Sequence, residues 1–426
     1  MIGNDIHQFA RTLWPINRSI TGEGVRLTLE HIRSHLPGLQ IESVPSGTVA
    51  FDWTVPKEWI AYDAYIITPT GVKICDFKAN NLHLLGYSVP FEGNISLGDL
   101  KEHLYTLPNQ PNAIPYVTSY YGERWGFCLS HEQYELLEDG TYFVKIDTKH
   151  FDGFLNYGEL IIPGKTSKEI FISTYVCHPS MANNELSGLT VVTYIAKWIS
   201  SLKPLEHTYR IIFIPETIGS ITYLSRHHDY MKKNIIAGFN VSCVGDERAY
   251  SYLPSRNGHT LSDCIAKHIL KHTDQNFRSY RWLDRGSDER QYCAPGIDLP
   301  IASIMRSKFG EYPEYHTSLD NLDNVVTPTG LDGGYWAIRR ALEAIERNKK
   351  YRLTTFCEPQ MGRRGLYPTI STKNSRKQMR LMKDTISLCD GQTSLLEIAE
   401  ILDTPIWDLY ETIDKLIDQD LLETIE

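Results

Sequence analysis

The chain has 426 residues, 42% of them hydrophobic and 22% charged, with a net charge of −9. That length exceeds one small core and implies two or three domains, and the composition excludes a disordered chain. The acidic balance excludes general nucleic-acid binding, which needs a basic face. Eight scattered cysteines include no CxxC pair, so no structural Cys-type zinc site is expected. The start, Met-Ile-Gly-Asn-Asp-Ile-His-Gln, lacks the basic and apolar regions of a signal peptide. No uncharged apolar run approaches the ~18–20 residues that cross a bilayer. The expectation is a cytoplasmic protein with no membrane partner.

A Trp14-Pro15 turn precedes Ile20-Thr21-Gly22-Glu23, and Val25, Leu29, Ile32 and Leu36 then fall at helical spacing. Pro37-Gly38 ends that helix. Between about 50 and 150, short β-branched or aromatic segments (Tyr65–Thr68, Tyr116–Tyr120, Tyr142–Asp147) alternate with prolines and glycines. This is the texture of a small β-rich module, and it carries no motif with attached chemistry.

From about 155 the pattern alternates. Strands are expected at Glu169–Cys177, Tyr209–Ile214, Ile236–Val244 and Pro300–Met305, with helices at Leu189–Leu202, Ser220–Lys232, Leu261–His272 and Leu331–Arg347. Such alternation predicts an α/β fold with a mainly parallel sheet flanked by helices. Residues 351–380 read as a basic linker. After it, short helices at Leu395–Leu402 and Trp407–Leu416 and a terminal strand suggest a winged-helix module at 381–426. From Asp384 to Glu426 twelve acidic residues face one lysine, Lys415, a balance of −11. The module is therefore expected to bind a protein or peptide, or to serve packing alone, and not to bind nucleic acid.

Four side chains with metal-ligand or acid–base chemistry follow apolar strands: His178 in Val-Cys-His-Pro, Glu216 in Ile-Pro-Glu-Thr, Asp246 in Val-Gly-Asp-Glu, and His316 in Glu-Tyr-His-Thr. Open α/β sheets gather their chemistry beyond the carboxyl ends of their strands. Glu216, ending a buried strand, is placed to be a general base, or alternatively a first-turn acid of the following helix. Asp246 reads equally as an oxygen ligand or a turn cap with Glu247 and Arg248. Asp320 and Asp323 are candidates to orient His316, and Tyr315 is a candidate oxyanion donor. The polar loop Arg285-Gly286-Ser287-Asp288-Glu289-Arg290 reads either as a substrate grip, with Arg285, Asp288 and Arg290 as its members, or as a solvated salt-bridge loop.

At these residues, and along Tyr116–Ser130 and Phe213–Leu224, the chain resembles bacterial proteins with an aminopeptidase-like domain, relatives of the M28-type zinc peptidases associated with polysaccharide biosynthesis. The resemblance implies an aminopeptidase-like domain at 1–48 and 150–350, an inserted β-rich domain at 49–149 and the C-terminal winged helix. It implies that His178 and His316 are metal ligands, Glu216 the general base and Tyr315 its companion. The same pattern expects a bridging aspartate where Asn184 stands and a ligand glutamate where Thr217 stands; its later aspartate aligns near Ser242, four residues before Asp246. Two neutral replacements argue against a two-zinc site. What remains is one zinc ion, or none, held by His178, His316 and either Asp246 or Glu185. The implied activity is amide hydrolysis on a small peptide, an aminoacylated compound or an N-acylated sugar. The alternatives are acyl transfer in a biosynthetic pathway and a binding or scaffold role on an altered peptidase fold.

Overall fold

The computed structural model describes residues 1–202, 204–366 and 373–425. Its backbone divides into two compact units, Met1–Ser262 with Arg278–Trp336, and Asp263–Phe277 with Ala337–Glu426.

The first unit is built on an eight-stranded sheet. In spatial order its strands are Gln40–Pro45, Phe154–Ile162, Thr208–Ile214, Glu169–Tyr175, Ile235–Asn240, Ile301–Met305, Ser251–Leu253 and Arg278–Ser279. The four in the middle run parallel to one another. Antiparallel pairings add the next strands on either side, and Arg278–Ser279 joins the edge in parallel with Ser251–Leu253. The middle strands are rich in β-branched and aromatic residues and almost wholly buried. Strands covered on both faces read as continuous apolar runs, which is why the sequence located them.

The path of the chain through these strands decides where the site lies. From Glu169–Tyr175 the crossover helix Ser187–Ser201 leads to Thr208–Ile214 on one side. From there the helix Ile218–Asn234 returns the chain past the first strand to Ile235–Asn240 on the other. Strand Glu169–Tyr175 is thus a topological switch point, where crossovers diverge and leave a crevice at the carboxyl ends. A single π-helical turn, Ala182–Leu186, precedes the first crossover helix. At Gly188 a Cβ would meet the Val241 carbonyl oxygen at 2.5 Å, so only glycine lets this helix start so close to the next strand.

The β-rich segment forms its own antiparallel sheet, in the order Lys73–Ile74, Glu58–Ile67, Thr141–Phe151, Phe91–Ser96. Tyr116–Tyr120, expected as a strand, is an irregular segment that makes isolated bridges, Gly86 with Thr118 and, just before it, Pro115 with Thr317. An N-terminal helix, Ile2–Leu13, precedes the Trp14-Pro15 turn and was not anticipated.

The second unit contains a three-stranded antiparallel sheet, Asp390–Ser394, Lys350–Leu353 and Leu422–Ile425, with helices Lys373–Leu388, Leu395–Ile401 and Ile406–Asp418. This corrects the expected linker: Lys350–Leu353 is the central strand, and the basic residues Arg376 and Lys377 are exposed on a helix. Residues 367–372 of that linker lie outside the described residues. A four-residue strand with one buried aromatic, Tyr351, is too short to show a period in sequence. Ser394 and Glu397 close a capping box at the start of Leu395–Ile401.

Among the described residues no helix is long and apolar enough to cross a membrane.

Candidate functional site

The carboxyl ends of two adjacent parallel strands bring His178 and Glu216 together. Tyr175 is in register with Ile214, and the Val176 N–H donates to the Ile214 carbonyl at 3.0 Å. The Glu216 N–H then donates to Cys177 Sγ at 3.3 Å. Continuing in parallel, the two chains set His178 Nε2 3.6 Å from Glu216 Oε2.

The other ring nitrogen of His178 is fixed. Nδ1 lies 2.8 Å from Glu185 Oε2, and the same oxygen accepts the backbone N–H groups of Cys177, at 2.9 Å, and of His178. Glu185 Oε1 accepts from Arg18 Nε at 2.8 Å, and both of these side chains are fully buried. Arg18 also donates to the carbonyls of His178 and Leu13. A buried carboxylate is tolerable only when its charge and lone pairs are matched this completely. The arrangement leaves His178 Nε2 without a hydrogen bond among the described residues and facing Glu216.

The π-helical turn presents Asn183, Asn184 and Glu185, and Asp320 holds it in place. Asp320 accepts the N–H groups of Asn183 at 2.7 Å and Asn184 at 3.0 Å, and the Tyr312 hydroxyl at 3.0 Å. Burial lifts its carboxyl to about 6 against these donors. Asp320 therefore does not orient His316, and Asp323 pairs with Arg11 at 2.6 Å instead.

His316 stacks on Tyr315 with ring centroids 3.9 Å apart, and lies 5.6 Å from the His178 ring. Burial, with repulsion from His178, drops its pKa to about 3, so the ring is neutral. Burial and the nearby Glu216 raise the Tyr315 hydroxyl, which stays protonated and able to donate. For His178, burial opposes the charged ring, but Cys177 and Glu185 outweigh it and hold the pKa well above the ordinary value. Glu216 is 21% exposed, yet its carboxyl is deep enough that burial raises its pKa over the opposing pull of His178 and Arg290.

The polar loop after Trp282–Asp284 divides. Asp288 is buried, and its Oδ1 accepts the Thr217 N–H and the Ser220 hydroxyl, both at 2.8 Å. Burial and the neighbouring Glu216 raise its pKa to about 8. Arg290 donates to the Thr217 hydroxyl. Arg285 is exposed and lies over the Trp282 ring, 5.0 Å from its centroid, so it does not join the site.

Asp246 does not join it either. Its two oxygens accept from Asn183 Nδ2 at 3.1 Å and, at 2.8 Å each, from the Ser307 N–H, the Ser307 hydroxyl and the Arg248 N–H. With four donors its acceptor capacity is filled. The turn-cap reading holds, and the expected ligand role is corrected.

Two contributors were missed. One is Arg18, which nothing in its local sequence distinguishes. The other is Tyr116 from the β-rich segment, whose ring lies 5.3 Å from His178 and 5.2 Å from His316. Its N–H donates to the His316 carbonyl, and Ser318 N–H donates to Ile114, so this segment also positions the His316 loop. The prolines around it were the only signal, and they mark loops generally.

Each loop leaving the four parallel strands carries one non-glycine residue at positive φ: Ser180 at 45°, Thr217 at 63°, Cys243 at 53° and His316 at 57°. Such residues cost roughly 1–3 kcal/mol each and cluster where function over-determines the backbone. Their concentration at one end of the sheet marks that end as the site.

The donors can be tested against a metal. Among the described residues, three ligand atoms within 4.8 Å of one another occur at Cys177, His178 and Glu185. That group does not fit a cation: Arg18 already supplies the positive charge at Glu185, and Glu185 Oε2 is filled by two backbone N–H groups and the His178 ring. The other side of His178 fits better. Its Nε2 points away from a carboxylate-held Nδ1, the pattern of an oriented metal-ligating histidine. A neutral imidazole and a carboxylate stand beside it. Among the described residues a second ion finds no such set. Asn184 accepts from Tyr175 at 3.2 Å, and the Thr217 hydroxyl accepts from Arg290.

Residues 7–348 match the model of a domain of unknown function, DUF4910, and residues 349–424 match a winged helix-turn-helix. The chain belongs to the DUF4910 family. A Clostridium acetobutylicum protein described as a polysaccharide biosynthesis protein with an aminopeptidase-like domain is 45% identical over 399 residues, 93% of this chain and 91% of its own length. A solved C. acetobutylicum structure described as a peptidase superposes with a TM-score of 0.93 at 42% identity, covering 100% and 97% of the two chains. The zinc aminopeptidase BSAP of Bacillus subtilis shares the fold, with a TM-score of 0.60 at 13% identity, covering 82% and 96%. The fold of this DUF4910 member is that of the M28-type aminopeptidases, followed by a winged helix.

Proposed function

We propose that this protein is an amide hydrolase acting on a small peptide, an aminoacylated compound or an N-acylated sugar. The observation that carries the reading is the meeting of His178 Nε2 and Glu216 at the ends of paired parallel strands, with Tyr315 and neutral His316 alongside. The description of the C. acetobutylicum relative brings in the sugar class.

His178 and His316, beside Glu216, are the residues that would hold one divalent ion, zinc by the chemistry of the set. Such an ion supplies polarisation of a carbonyl and a water of lowered pKa. Glu216 accepts the proton of the attacking water and returns it to the leaving amine, a task suited to a carboxyl raised by partial burial. The protonated Tyr315 hydroxyl donates to the oxygen that gains charge. Glu185 and Arg18 fix the His178 ring.

The test is metal analysis of protein purified without chelator, together with turnover of a panel of short peptides and N-acyl amines. About one zinc per chain and turnover lost in Glu216→Gln support the reading. Absence of transition metal with activity unchanged by chelation sinks it. A second reading, a binding protein on an altered peptidase fold, is favoured by the neutral Asn184 and Thr217. It predicts ligand binding without turnover by any panel member. Under either reading the acidic winged helix is proposed to dock a protein or peptide.

A further inference from the structure

Arg290 has more donors than the protein uses. Its Nη2 donates to the Thr217 hydroxyl, while its Nε is buried with no acceptor among the described residues. Guanidinium presents five N–H donors in a planar fork suited to carboxylates. The groups that act on it electrostatically, or that it acts on, are Glu216, Asp288, Tyr121 and Tyr315. Two of these are phenols; Asp288 gives its Oδ1 to Thr217 and Ser220, and its Oδ2 is buried without a hydrogen bond to Arg290 or to any other described residue. Of these four, Glu216 is the carboxylate that also faces His178, with its Oε2 3.6 Å from His178 Nε2. A guanidinium N–H left unused is costly to bury unless a ligand completes it.

We infer that Arg290 binds a carboxylate of the substrate next to the bond that is cleaved, so that the preferred substrates are N-acyl amino acids or peptides held by their carboxyl terminus. The inference rests on the hydrolase reading for the bond broken, but not for the carboxylate bound. The Arg290 charge acts on both Glu216 and Tyr315, and its fork is held at Thr217, next in the chain to Glu216, so a carboxylate bound there brings the neighbouring amide towards those two groups. The fold neighbours bear the name aminopeptidase; this chain's own charge arrangement favours the opposite end of a peptide. The Arg290–Thr217 contact holds the fork in place for it, and Thr217 is one of the four strained residues.

The experiment uses full-length protein and matched probes: N-acetyl amino acids and the same compounds as carboxamides. Binding is measured by calorimetry to Glu216→Gln and turnover by amine release from the unsubstituted protein. The expected result is tighter binding of the carboxylate than of the carboxamide, on the order of 10- to 100-fold, the worth of a charged hydrogen bond. Arg290→Gln should abolish that discrimination and Arg290→Lys should keep part of it, with melting temperatures checked for folding. Equal binding of carboxylate and carboxamide overturns the inference, as does discrimination that survives Arg290→Gln. Carboxylate binding without turnover leaves this inference standing and removes the hydrolase reading. Turnover indifferent to the carboxylate does the reverse.

Discussion

Two loops leave neighbouring parallel strands of one sheet, and each holds a buried acid, yet they do different things. After Glu169–Tyr175, Glu185 is paired with Arg18 and the His178 ring, and its charge leaves a histidine nitrogen facing Glu216. After Ile235–Asn240, Asp246 is closed off by four donors of its own surroundings. The first loop exports chemistry; the second is a brace. A buried carboxylate therefore says little until its lone pairs are counted.

The largest effect expected from breaking this contrast is at Glu216. Glu216→Gln should lower kcat by about 10²- to 10⁴-fold, the range for loss of a general base, with little change in melting temperature. Because burial raises its pKa and the base must be ionised, kcat/KM should rise with pH on the acid limb, and that limb should lie above the ordinary carboxylate range. Next comes the buried pair. Arg18→Met strands Glu185 without its partner and should cost about 3–5 kcal/mol in urea unfolding. The double variant with Glu185→Gln should recover part of that loss; simple additivity would show the pair is not coupled.

Asp246→Asn should cost about 1–3 kcal/mol, because an amide N–H₂ then faces donors, while metal content and kcat stay unchanged. A loss of metal in this variant would return Asp246 to the ligand set. Asp288 gives a pH signature. Its carboxyl is raised from 3.8 to about 8 in the folded chain. The folded state then holds a proton that the unfolded state has lost between these values, so its stabilising contribution is full below pH 3.8 and is lost as pH rises towards 8. Melting temperatures of Asp288→Asn and the unsubstituted protein should diverge in the variant's favour across that window; parallel profiles would refute it. The smallest effect is at Arg285. Arg285→Ala should shift stability by less than about 0.5 kcal/mol and leave KM unaltered.

The sequence alone fixed the four buried parallel strands, because strands covered on both faces must be apolar throughout. It also marked His178, Glu216, Tyr315 and His316, because chemistry in such sheets follows strand ends. The departures at Asn184 and Thr217 were equally visible, since a charge absent from the chain is absent from the site. The rest was decided in three dimensions. Asp246 and Glu185 are alike in sequence, both acids shortly after a strand. Only the donors that fold around them make one a cap and the other an orienting group. Arg285 and Arg290 sit five residues apart, and only the turn between them sends one to solvent and the other into the cleft. Arg18 and Tyr116 come from 160 and 62 residues before His178. Local pattern carries no information about contacts at that range, because they depend on where the sheet and the β-rich segment bring the chain back. Sequence determined which side chains can carry charge and which strands are buried. Tertiary structure decided which of those charges were left with something to do.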